Sequence, residues 1–148
     1  MSSRVSEASR TMLKGYNCAQ SVLSAFSDEL GLPVKDALRV AGAFGGGMAC
    51  MGQMCGAVTG AFMTIGLAHA KTKEGEDAEK ARGYALVREF SARFAEKHGT
   101  LQCRELIDME LSTDEGMARA LASGVFQTKC VMYVEDAVAI LEELLNRG

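Results

Sequence analysis

GAFGGGMACMGQMCGAVTGAFMTIGLAH, residues 42–69, is the stretch from which the rest of the chain can be read. It contains no Lys, Arg, Asp or Glu. Gly45, Gly46, Gly47 and Gly52 make its first part turn-prone, and Met48, Met51 and Met54 recur there every third residue around Cys50 and Cys55. From Met54 onward the run is apolar. On a helix, Cys55, Val58, Phe62 and Ile65 fall on one stripe and Gly52, Gly56 and Gly60 on another. The first stripe is a thiol followed by core. The second lacks side chains, so another backbone can approach it closely. The expectation is a thiol-bearing glycine loop that feeds a central buried helix ending near Lys71.

Helical signals continue on both sides. Arg4 to Lys14 fits a first helix that Gly15 breaks. Asn17 is a good N-cap, which puts Cys18 in the first turn of a second helix whose stripe is Cys18, Val22, Phe26 and Leu30. Gly31 closes it, and Pro33 opens a third helix reaching about Phe44. After the charged turn at Lys73 to Asp77, a long helix is expected from about Ala78 to His98, its inner face made by Tyr84, Val87, Phe90, Ser91 and Phe94. Thr100 reads as an N-cap that places Cys103 in the first turn of a short helix. Ser112 or Thr113 caps another helix, near Asp114 to Ala122. A loop at Gly124 to Lys129 precedes a last helix that begins near Cys130, with Val134, Ala137, Val138, Leu141, Leu144 and Leu145 on its stripe.

These signals define an all-α fold, a multi-helix bundle around a central apolar Gly-rich helix, in one domain spanning 1–148. A chain of 148 residues needs no covalent staples, since a domain of this size buries roughly 68–70% of its unfolded surface. The net charge is −3 and the basic residues form no block, so nucleic-acid binding is not expected. Residues 54–68 are short for a membrane span and diluted by glycine and threonine, so no span is expected. The N-terminal MSSRVSEASR has no apolar core and no twin arginine, which implies a cytoplasmic, reducing setting. There, the five cysteines point to metal or redox work rather than structural bridges.

Four of them share a feature. Cys18, Cys55, Cys103 and Cys130 each fall near a helix start and on that helix's apolar stripe. A helix start presents free N–H groups and about half a positive charge. That environment favours the thiolate, the form that binds metal or attacks a disulfide. Four such starts converging would suit an anionic group such as an iron–sulfur cluster. The packing alternative stands beside this, because cysteine is also a common small core residue. The gaps of 37, 48 and 27 residues contain no close pair of the kind structural zinc sites use. A soft-metal reading attaches to MACMGQMC, where thioether and thiol donors suit Cu(I); flexible filler is the plainer role for those methionines. His69 and His98 read as partly exposed helix-end residues, and nothing in their spacing requires a Cys–His nucleophilic pair.

GYNCAQSVLSAF at 15–26, GAFGGGM at 42–48, CGAVTG at 55–60, CREL at 103–106 and CVMYVEDAVAILEELL at 130–145 together resemble the C_GCAxxG_C_C family of redox-active proteins. The resemblance runs from about Ala8 to Leu145. It implies that Cys18, Cys55, Cys103 and Cys130 are the functional cysteines, and that Gly56, Ala57 and Gly60 are the small residues that make room beside them. It also implies electron transfer or redox sensing, with an iron–sulfur cluster as the expected cofactor and a redox partner protein. No enzyme activity is assigned by it, and Cys50 lies outside its pattern. Two other readings remain at this point: a metal-free thiol–disulfide protein, and a helical assembly domain whose cysteines only pack, with the apolar central helix serving a homodimer.

Overall fold

The computed structural model of the chain describes residues 2–146. It is all-α. In chain order the helices are α1 Ser3–Leu13, α2 Cys18–Ser27, α3 Val34–Val40, α4 Gly56–Ala68, α5 Asp77–His98, α6 Cys103–Ile107, α7 Asp114–Ser123 and α8 Lys129–Leu145, with a 3-10 turn at Val125–Gln127 before α8. Among the described residues there is no strand; one isolated antiparallel bridge pairs Met54 with Gln102.

The central helix is α4, as expected. It packs most extensively on α2, then on α8 and α5, while α1 lies across α2 and α8. Ala57, Val58, Ala61 and Ile65 are fully or almost fully buried. The close approach comes from two glycines. A Cβ at Gly60 would stand 2.9 Å from the Ala19 carbonyl oxygen, and one at Gly56 would stand 3.0 Å from the Ala19 nitrogen. Gly52 is not part of that stripe: Cys55 occupies the N-cap of α4, so Gly52 lies in the preceding loop, against Arg104.

Helix starts follow the side-chain chemistry. Asn17 Oδ1 accepts from the Gln20 amide (2.8 Å) and Gln20 Oε1 accepts from the Asn17 amide (2.9 Å), a reciprocal capping box at α2. The same two side chains reach across to α3. Gln20 Nε2 donates to the Leu38 carbonyl, and Asn17 Nδ2 donates to those of Ala41 and Gly42. This explains why α3 stops at Val40 rather than reaching Phe44: α2 satisfies its terminal carbonyls, and the glycines beyond leave the helical path. Thr100 is not an N-cap. Gln102 occupies that position for α6, while Thr100 Oγ1 accepts from the Gln102 amide and donates to Glu105.

One helix face differs from expectation. On α5 the buried residues are Gly83, Leu86, Phe90 and Phe94, while Tyr84 is 58% exposed. Gly83 turns inward because the His69 carbonyl ends α4 there; a Cβ would stand 2.4 Å from that oxygen.

Gly60 and Gly66 give opposite expectations in one helix. Gly60→Ala forces α4 off α2 and should destabilise the protein by about 1–3 kcal/mol. Gly66 has open space around it, so Gly66→Ala should stabilise by roughly 0.5–1 kcal/mol. Urea unfolding midpoints of the two variants against the parent chain check both signs.

Candidate functional site

The chain folds so that four helix starts carry one cysteine each. Cys18 is the first residue of α2, Cys55 the N-cap of α4, Cys103 the first residue of α6 and Cys130 the second residue of α8. All four line one cavity of about 470 Å³. Gly56 lines it as well. Ala57 is fully buried just behind. Gly60 stands a turn further along α4 against Ala19, outside the lining. The other walls come from Met12, Leu106, Ile107, Leu111, Phe126 and Tyr133, and the exposed residues Gly15, Tyr16, Ala43 and Ala49 mark the mouth. Among the described residues no Asp, Glu, Lys, Arg or His lines the cavity.

Cys50 lines it too, which the sequence did not indicate. The loop that delivers it is unusual. Gly46, Gly47, Met48, Ala49 and Cys50 have consecutive φ values of 64°, 70°, 69°, 50° and 63°. Left-handed backbone costs about 1–2 kcal/mol at each residue other than glycine, so Met48, Ala49 and Cys50 are held there by their surroundings. Backbone bonds inside the loop do this: Ala49 to Ala43, Cys50 to Gly45, Gly52 to Gly46 and Gln53 to Gly47. The loop is also sewn to α6. Cys103 N–H donates to the Gln53 carbonyl (2.7 Å), and the Arg104 side chain donates to those of Gly52 and Met51. Met48, Met51 and Met54 do not line the cavity, so they bring no thioether to Cys50.

The glycines around the thiols permit close contacts that a side chain would block. A Cβ on Gly46 would stand 2.8 Å from Cys50 Sγ, one on Gly47 2.7 Å from Cys103 Cβ, and one on Gly56 3.0 Å from Cys18 Cβ. Among the described residues no group of three or more His, Cys, Asp or Glu is gathered to hold a metal ion. A multi-atom cluster makes a different demand, because its thiolate ligands bind separate irons. An all-thiol donor set, in a cavity that no charged side chain of the described residues lines, fits such a group in its chemistry.

The thiols differ in their proton affinity. Burial pushes both Cys55 and Cys103 up from 9.0 to about 12. At Cys55 the Ala57 and Val58 N–H groups at the start of α4 pull the other way, and they lose. Cys18 is raised well above its ordinary value, chiefly because its S–H donates to the Cys130 sulfur, with burial adding to it. The same bond lowers Cys130 against its own burial, helped by Lys129. The helix starts therefore do not make four thiolates on their own. Burial outweighs them at two sites, and a sulfur–sulfur hydrogen bond separates the other two.

Neither histidine lines the cavity. His69 bonds Glu79 at the end of α4. His98 is wedged between Phe94 and Tyr133, its Nε2 paired with Asp136 at 2.9 Å and its side chain only 8% exposed. Tyr133 donates its hydroxyl to the Leu106 carbonyl at 2.7 Å, tying α8 to α6 beside the thiols.

The fold is all-α, and it gathers thiols from four helix starts around one cavity. The chain is a member of the C_GCAxxG_C_C family, whose description is "Putative redox-active protein (C_GCAxxG_C_C)" and whose family model matches residues 16–144. Neither the curated proteins nor the solved structures compared with the chain contain a match. Among the described residues no helix is long and apolar enough to cross a membrane.

The raised thiols set the pH response of the metal-free protein. Folded Cys55 and Cys103 keep their protons up to about 12, whereas the unfolded chain releases them near 9.0. The unfolded state then binds fewer protons, so stability is lost as pH rises through that window. The urea midpoint should fall as pH rises from about 9 towards about 12, and it should fall less in Cys55→Ala.

Proposed function

We propose that the chain is a redox protein whose Cys18, Cys55, Cys103 and Cys130 thiolates hold an iron–sulfur cluster that exchanges electrons with a partner protein. The carrying observation is that one thiol from each of four helix starts lines a single uncharged cavity. Such a cluster, when bound, supplies a one-electron couple. The chain's own residues supply the rest. The thiols ligate after losing their protons, as metal binding requires. The Ala57 and Val58 N–H groups at the start of α4 favour negative charge on the Cys55 sulfur. Tyr133, Leu106, Ile107, Leu111 and Phe126 keep water from the inner wall. The exposed mouth at Gly15, Tyr16, Ala43 and Ala49 is where a partner would approach.

Protein purified without oxygen, or reconstituted with iron and sulfide, should be brown, with visible bands that dithionite bleaches. Cys55→Ala and Cys130→Ala should each remove the colour and the iron while the fold persists by circular dichroism. A parent protein that stays colourless after reconstitution, or variants that keep full iron, would sink the reading.

One observation favours a second reading, a metal-free dithiol. Cys18 and Cys130 line the same cavity from the starts of α2 and α8, and their mutual influence raises the Cys18 thiol and lowers the Cys130 thiol. A more acidic thiol beside a less acidic one suits disulfide formation with an external disulfide as oxidant. Mild oxidation of the metal-free chain should then cost two thiols per molecule, and none in Cys130→Ala. An unchanged thiol count in the parent chain excludes it.

A further inference from the structure

We propose that Cys50 is a reserve ligand of this site, able to take the place of Cys103 around the cluster; the inference rests on the iron–sulfur reading above. Five thiols line a cavity in which four helix starts already supply a full set. The fifth arrives from the left-handed run at 46–50, half-buried and packed against the main core. Its position singles out one neighbour. Gly46 and Gly47 are adjacent; a Cβ on Gly46 would meet Cys50 Sγ, and one on Gly47 would meet Cys103 Cβ together with the Gln53 backbone. The two cysteines therefore press on consecutive residues of a single turn. The Cys103 amide and the Arg104 side chain fix that turn to α6, so the two thiols belong to one rigid unit.

The exchange balances simply. A bond forms between iron and the Cys50 sulfur, the bond to the Cys103 sulfur breaks, and the Cys50 proton passes to the departing Cys103 thiolate. No electron changes hands and the cluster keeps four thiolates throughout. One iron gains a ligand that can be traded at the mouth side of the cavity, close to exposed Ala49.

The test compares iron and acid-labile sulfide per chain, with the visible spectrum, in reconstituted variants. Cys50→Ala should match the parent protein. Cys103→Ala should also retain its cluster, and the double variant Cys50→Ala/Cys103→Ala should lose it. Cys18→Ala and Cys130→Ala should lose it although Cys50 is present. If Cys103→Ala folds and loses its iron as Cys130→Ala does, the proposal is overturned. Should Cys103→Ala fail to fold, the loaded parent protein decides: iodoacetamide followed by peptide mass mapping should find the single free thiol divided between Cys50 and Cys103. Label confined to Cys50 overturns the exchange and leaves the four-cysteine site standing. A parent protein that takes up no iron overturns the site and the exchange together.

Discussion

The close contact of α4 with α2 is the constraint on which the thiol site depends. Gly56 and Gly60 let the α4 backbone rest on Ala19, and Cys18 and Cys55 are the residues immediately beside that contact on each helix. Their separation is thus set by backbone packing rather than by rotamer choice. The remaining thiols are referred to the same frame. α8 packs on both α2 and α4 and carries Cys130, while α6 carries Cys103 and is sewn to the loop that leads into α4. Interiors packed to crystal-like density transmit a displacement rather than absorb it. A side chain forced between α2 and α4 would therefore be felt at all four sulfurs.

The site also holds two opposed tendencies. Helix starts favour negative charge, and burial in an uncharged pocket opposes it. In the protein alone, burial prevails at Cys55 and Cys103, and the Cys18–Cys130 pair shares a proton unequally. A cation bound among the thiols reverses the balance, since a coordinating thiol gives up its proton outright. The same arrangement that disfavours four bare thiolates then becomes a low-dielectric enclosure in which their attraction for the cation is strong.

Much of this was legible in the sequence because it is written locally. Caps and stripes indicate the eight helices found among the described residues; the Asn17 cap put Cys18 at a helix start, and the apolar run after the glycine loop put Cys55 at another. What failed depends on contacts between elements. Tyr84 lies on a plausible apolar stripe, but the His69 carbonyl fits only against Gly83, and that rotates the face by one residue. α3 ends early because side chains from α2 take its carbonyls. Gly52 continues the small-residue spacing on paper, yet Cys55 caps the helix before reaching it. Cys50 was the hardest to place. Met48, Ala49 and Cys50 have no local preference for left-handed backbone, so only the assembled loop reveals that this thiol joins the others.

The cavity wall has a consequence for how the protein can be watched. The chain has no tryptophan and three tyrosines, so its ultraviolet emission is that of tyrosine alone. Tyr16 and Tyr133 both line the cavity, one at the mouth and one at the inner wall, whereas Tyr84 stands on the surface beneath Lys80. Two of the three emitters therefore sit within contact range of whatever the thiols hold, and the third is an internal reference. The fold carries its own optical gauge of occupancy.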